Sequence, residues 1–176
     1  NPDAEKMGVK DWFYCWLTRV VLERVTHFVS EKSLKRYGKI ERAKLVFSAR
    51  GGLNAAQIYA YFDWIKRQSE NSTLYLPWGD IEWETIHPRF MEVQQHQINA
   101  GLQLADIVAS AFFQACDKRQ SGPCVTEYAR LLSQVMGRFP DTKKGLISGY
   151  GVKILPYITA AKLDSDQEEI FKHFGY

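Results

Sequence analysis

The chain has 176 residues, 45% of them hydrophobic and 14% aromatic, so it can bury the core of one domain and is not a disordered segment. Its 23 basic and 20 acidic residues give a net charge of +3, too small to diagnose a nucleic-acid-binding protein by charge alone. Three cysteines without metal-ligand spacing, and no apolar run of about 18 residues, predict a cytoplasmic protein with reduced thiols and no membrane partner. We therefore expect a single domain over residues 1–176, with 157–176 as a carboxy-terminal tail and helix.

The first predicted element is a long helix over residues 11–33, with apolar side chains around most of its circumference. Its polar side chains form one stripe: Arg19, Glu23, Thr26, His27 and Ser30. Glu23 is either an acid that faces a cleft or half of a solvated pair with Arg19 or His27. Because exposed pairs at this spacing are the commoner arrangement, the pattern favours a surface position for Glu23.

Residues 43–50 form a short apolar run that Gly51 and Gly52 close, which predicts a buried strand. Alternation along this strand places Ser48 and Arg50 on the same face. Ligands of parallel α/β sheets bind beyond the carboxyl ends of the strands. Arg50 is therefore either an anion-binding residue or the ion-pair partner of a nearby carboxylate.

The alternation of helices and strands continues through the middle of the chain. Residues 55–68 are predicted to be a helix whose apolar face consists of Ile58, Tyr61, Phe62 and Ile65. Residues 90–97 alternate as a strand does, with His96 near its end as an exposed histidine or a second site residue.

Residues 101–113 are predicted to be a helix that is buried on most of its circumference. Its exceptions, Gln103, Asp106 and Ser110, fall within an arc of about 60° at 100° per residue. Burying a carboxylate costs several kcal/mol unless a partner compensates. Asp106 is therefore either the acid that marks a functional site or a structural aspartate near a helix start capped by Asn99.

Three shorter elements follow: an amphipathic helix over 126–136, a strand or extended edge segment over 149–156 and a helix over 165–174. The first of these is expected to turn its apolar side chains inward: Tyr128, Leu131, Leu132 and Val135. The order helix, strand, helix, strand, helix from residue 11 to 117 predicts an α/β fold with a mainly parallel sheet. Since two or three strands are too few to cover these helices, we expect further strands upstream of Asn1.

Four segments carry a resemblance to a known family: residues 22–25 (Leu-Glu-Arg-Val), 46–52, 101–109 and 149–153. In this order they resemble the bacterial and phage family catalogued as domain of unknown function 3800, and the Leu-Gln-Leu-Ala-Asp sequence ending at Asp106 is the most specific. The resemblance covers nearly all of the chain. It implies an RNase H-like mixed sheet flanked by helices, whose amino-terminal strands precede this chain.

The resemblance also implies a site. Asp106 would be the catalytic acid and metal ligand on the last core helix, and Glu23 a second catalytic acid on the first. On the nuclease hypothesis, a carboxylate upstream of Asn1 would share the metal ion with Asp106. Gln103 would orient the site, while Arg50 and Ser48 would contact substrate. The implied activity is a metal-dependent nuclease that uses Mg²⁺ or Mn²⁺ on nucleic acid.

Two departures from the family pattern keep a second function open. The chain lacks the Asp-Glu-Ser segment with which the family opens, and Ser48 and Arg50 stand where an RNase H nuclease places a carboxylate. The alternative is a catalytically inactive module that binds nucleic acid or protein, in which Asp106 pairs with Arg50. Five tryptophans also leave room for an apolar interface between copies of the chain.

Overall fold

A computed structural model describes residues 12–49, 55–74, 76, 79–118, 122–155 and 157–176. The chain divides into two compact units, residues 1–99 and residues 100–176. Among the predicted features, Arg50 and the glycine pair at 51–52 lie outside the described residues.

The fold is mixed α/β, as the sequence predicts. The helices and strands of the first unit are α1 (Trp12–Tyr37), β1 (Ala43–Ser48), α2 (Ala55–Glu70) and β2 (Ile86–Gln94). Those of the second unit are α3 (Ala100–Cys116), α4 (Glu127–Leu131) and α5 (Ser165–His173). None of the described helices combines the length and the apolar character needed to cross a bilayer.

The two described strands pair in parallel, which confirms the predicted direction of the sheet. Leu45 lies opposite Met91 and Phe47 opposite Val93, and the register is irregular between Ala43 and Leu45. These four apolar residues pack in or against the core of the first unit. Alternation therefore sends Val46, Ser48, Glu92 and Gln94 to the other face of the sheet.

The core of the first unit forms between α2 and the strands. Ile58, Phe62 and Ile65 of α2 are buried as predicted, and the Phe62 ring packs edge-on against Phe47 with centroids 6.0 Å apart. Burying each such side chain contributes about 1.5–3 kcal/mol. From α1, Leu22 joins this cluster.

Helix α1 buries polar as well as apolar side chains. Its buried side chains include Glu23 and Thr26, together with Ser30 and Ser33. Large apolar side chains of the same helix are exposed: Phe13, Leu17, Val21 and Phe28. The predicted polar stripe is therefore part of the interior.

The second unit has its own core, to which the end of the chain contributes. Ile170, Phe171 and Phe174 are buried there, and Phe174 stacks on Phe112 of α3 with centroids 5.5 Å apart. Helix α5 confirms the predicted carboxy-terminal helix and begins with a capping box between Asp164 and Gln167.

Three predictions for the second unit are wrong. Helix α3 is exposed over most of its length and buries only Ala111 and Ala115. Helix α4 buries Ala129, whereas three of the four side chains expected to face inward are exposed: Tyr128, Leu131 and Val135.

Residues 149–155, the described part of the predicted segment, do not form a regular strand. The amide groups of Tyr150, Gly151 and Val152 all donate to the Ile147 carbonyl, in a tight turn with Gly149 at φ +72°. The Tyr176 hydroxyl stabilises this turn, because it accepts hydrogen bonds from the Gly149 amide (3.0 Å) and from a second amide, at position 154 (3.1 Å). It also donates to the Val152 carbonyl (2.9 Å).

Candidate functional site

Asp106 lies in the first half of α3 and is exposed, as are Gln103 and Ser110. The expectation that it is a buried carboxylate on an apolar rod is therefore wrong. Its apolar neighbours Leu104 and Ile107 are exposed as well. Asp106 forms no ion pair with any described residue. Its assignment as a site acid now depends on the sequence resemblance and on its accessibility.

Glu23 is the acid that the fold buries. Its exposed fraction is 2%, so the prediction of a solvated surface pair is wrong. His27, four residues further along the helix, lies 3.8 Å from Glu31. A carboxylate removed from water costs several kcal/mol unless its surroundings stabilise the charge. The buried helical carboxylate that the sequence predicts at Asp106 is therefore found at Glu23.

A hydrogen-bonded threonine lies on the same face of α1. The Thr26 hydroxyl donates to the Leu22 carbonyl (2.8 Å) and accepts a hydrogen bond from the Glu82 amide (3.1 Å). Thr26 therefore links α1 to the loop before β2. Sequence reasoning places Thr26 on the polar stripe but gives no sign of this contact, which joins residues 56 positions apart.

Arg19 of α1 lies close enough to Tyr61 of α2 for its charge to act on the phenol. The hydroxyl of Tyr61 and the Nε of Arg19 are both buried without a hydrogen-bond partner among the described residues. Burial raises the pKa of the Tyr61 phenol to about 12, although the nearby Arg19 charge acts in the opposite direction. The Arg19 guanidinium also lies over the Trp16 ring, 5.9 Å from its centroid.

Ser48 ends β1 and lies half-buried beside a polar network at the carboxyl ends of the parallel strands. Its register partner, Gln94, donates to Glu92 (2.6 Å) and accepts from the Asn99 amide group (2.7 Å). Lys44 pairs with Glu92 at 2.7 Å. Two hydrogen bonds lower the pKa of Glu92; the one from Lys44 has the larger effect and the one from Gln94 the smaller. This edge is where ligands of parallel sheets bind, and the strand alternation could have identified Glu92 and Gln94.

The remaining candidate ligands do not gather into a metal site. Within the described parts of the chain, no three His, Cys, Asp or Glu side chains come together in a way that could hold a metal ion. His96 follows β2 in a short 3₁₀ turn and is exposed. The three cysteines are free thiols, as predicted.

Comparisons with known proteins add no relative. No protein-family model, no curated protein and no solved structure matches the chain. The RNase H-like fold and the family resemblance therefore stay predictions from sequence.

Proposed function

We propose that the chain is an RNase H-like nuclease or nuclease-like domain that acts on nucleic acid. The order α1, β1, α2, β2, α3 and the parallel pairing of the strands support this layout. The observation that carries the proposal is the burial of Glu23 on α1. Glutamates are seldom fully buried in proteins, so a buried acid on the helix where the resemblance implies one supports the proposal.

The proposed roles follow from the position of each side chain. Glu23 is the buried acid, and Asp106 is an exposed carboxylate that a large substrate can reach. Ser48 and its hydrogen-bonded neighbours at the carboxyl ends of β1 and β2 supply polar contacts to substrate, and Gln103 on α3 supplies another.

The resemblance also implies Mg²⁺ or Mn²⁺, which would provide a Lewis acid and an activated water in such an enzyme. The described residues do not fit such an ion, because no three potential ligands cluster among them. The proposal therefore includes no metal ligand set and no hydrolytic step. Glu23 and Asp106 enter it as acids whose loss is expected to abolish activity.

Cleavage assays test the nuclease proposal. Labelled single-stranded RNA, single-stranded DNA, duplex DNA and an RNA–DNA hybrid are incubated with the chain in Mg²⁺ or Mn²⁺, and in EDTA. We expect metal-dependent cleavage that falls at least 100-fold in Asp106→Asn and in Glu23→Gln. Asp63→Asn, an exposed helical aspartate paired with Arg67 at 2.9 Å, is the matched control and should retain activity.

The absence of a three-ligand cluster among the described residues favours a second candidate, a catalytically inactive module that binds nucleic acid. The same assay separates the two. If no substrate is cleaved above the EDTA blank while all variants melt at the wild-type temperature, the nuclease proposal is rejected. The module then predicts that labelled oligonucleotides still bind in EDTA.

A further inference from the structure

The positive charge of the chain is concentrated in residues 35–44, here called the basic segment. Five of its ten residues are basic and one is acidic, whereas the rest of the chain has 18 basic and 19 acidic residues. The small net charge of the whole chain therefore conceals one strongly cationic stretch. Charge asymmetry of this kind is the electrostatic footprint of polyanion binding.

The fold presents this segment on the surface. It runs from the last turn of α1, through a turn at Gly38 (φ +70°), to the start of β1. All of its basic side chains are exposed: Lys35, Arg36, Lys39, Arg42 and Lys44. The turn is fixed, because the Gly38 amide donates to the Leu34 carbonyl at 2.9 Å. This hydrogen bond connects the turn to the last turn of α1.

The basic side chains of the segment differ in whether a carboxylate already pairs with them. Lys39 pairs with Glu41 at 2.8 Å and Lys44 pairs with Glu92 at 2.7 Å. Arg36 and Arg42, by contrast, form no ion pair with any residue that the structure describes. Guanidinium groups bind phosphate oxygens in a bidentate manner, which suits these two to a phosphate backbone.

An exposed aromatic ring stands among the charges. Tyr37 is 56% exposed, and the Arg36 guanidinium lies 5.4 Å from the centroid of its ring. An accessible ring beside cations is the combination by which proteins hold unpaired bases and their phosphates. Ile40 and Ala43 are only partly exposed, so the segment offers no extended aliphatic face of the kind that inserts into a bilayer.

We propose that the basic segment is a contact surface for single-stranded nucleic acid. Arg36 and Arg42 bind phosphates, and Tyr37 stacks on a base. The inference deepens the proposed function, on which it rests for the choice of nucleic acid, by naming the surface and the strand form. Binding at this surface requires neither a metal ion nor cleavage.

Binding is measured with the full chain in EDTA by fluorescence anisotropy, with labelled 15-nucleotide RNA and DNA single strands and a 15-base-pair duplex. Arg36→Glu/Arg42→Glu should weaken single-strand binding at least tenfold. It should also reduce the slope of log Kd against log salt by about 1.4, or 0.7 for each lost phosphate contact. Tyr37→Ala should weaken single-strand binding about 5- to 140-fold and leave duplex binding unchanged.

Lys143→Glu/Lys144→Glu is the matched control, since both lysines are exposed and lie in the second unit. This charge reversal should change the Kd less than twofold. Arg36→Gln/Arg42→Gln provides a second, milder variant, because a glutamate in the last turn of α1 is unfavourable for the helix. Far-UV circular dichroism confirms that each variant is folded.

Three results would overturn the inference: an equal loss in the control, no effect of Tyr37→Ala, or binding to phosphatidylserine vesicles but not to oligonucleotides. Its failure is distinguishable from that of the proposed nuclease. Binding that depends on the basic segment without any cleavage rejects only the nuclease. Cleavage and binding that both survive the arginine substitutions reject only this surface.

Discussion

The Thr26→Val substitution tests the unusual interior of the first unit. Valine has nearly the same shape as threonine but no hydroxyl, so the Glu82 amide loses the acceptor that lies 3.1 Å away. A buried donor left without a partner costs about 1–3 kcal/mol. Because Glu82 is only half-buried, we expect the lower part of this range, about 1–2 kcal/mol of unfolding free energy.

Thr18→Val is the matched control on the same helix. The Thr18 hydroxyl donates to the Tyr14 carbonyl at 2.9 Å, and no described backbone amide donates to it. Its replacement should change stability by less than about 0.5 kcal/mol, since no amide loses a partner. Thr26→Ser keeps the hydroxyl and should retain more stability than Thr26→Val.

Urea denaturation followed by tryptophan fluorescence provides the measurement. All five tryptophans of the chain fall within residues 1–99, so the signal reports unfolding of the first unit alone. The midpoint of Thr26→Val should fall with an unchanged slope. Equal midpoints for Thr26→Val and Thr18→Val would refute the claim that the Glu82 amide depends on Thr26.

Two further predictions concern the two units separately. Because the pKa of Tyr61 is about 12 in the fold against 10.0 ordinarily, its contribution to stability is complete below pH 10 and is lost as pH rises through 12. Tyr61→Phe should remove that loss of stability in alkaline melts. At pH 7 it should not destabilise the protein, because the lost hydroxyl has no partner among the described residues. A steeper loss of stability at alkaline pH in the variant would contradict this reasoning. In the second unit, the Cβ of Gly145→Ala would lie 2.0 Å from the Pro140 carbonyl oxygen. This substitution should lower the free energy of unfolding, followed by circular dichroism, by about 1–3 kcal/mol. Gly122→Ala, where a Cβ would meet open space, should leave it unchanged. Equal effects of the two substitutions would show that the contact at Gly145 relaxes freely.

The sequence predicts the first unit best where the pattern of apolar residues allows only one buried face. The single apolar face of α2 predicts which of its side chains are buried, and Ile58, Phe62 and Ile65 confirm it. The apolar run at 43–50 correctly predicts a strand, but no residue of β1 is fully buried, so the prediction of a buried strand is wrong. The parallel pairing likewise follows from the alternation of helices and strands. These elements are determined locally.

Helix α1 shows where periodicity is insufficient. Its pattern identifies which residues share a face but does not say which face packs inward. Thr26 and Ser33 can be buried at low cost because their hydroxyls donate to carbonyl groups of the same helix, at Leu22 and Ser30. A polar stripe that contains such residues therefore does not by itself indicate a solvent-exposed helix face. The predicted surface position of Glu23 is wrong for this reason.

The candidate site could be predicted only in part. The sequence points to Asp106 because an apolar helix is usually buried, yet α3 exposes Leu104 and Ile107. A run of apolar residues therefore does not by itself determine that a helix is buried. Strand alternation predicts that Ser48 and Gln94 share a face of the sheet. It cannot predict the contact of Thr26 with Glu82, because that contact depends on a loop distant in sequence.

The hydrogen bonds of Tyr176 have a consequence for synthesis of the chain on the ribosome. One phenol oxygen near the end of the chain joins two amides and a carbonyl of the turn at 149–154. The first unit can form while translation continues, because domains generally fold as they emerge. The turn gains the three hydrogen bonds of Tyr176 only after that residue has left the ribosome, so a nascent chain that stops before it should have a less stable second unit.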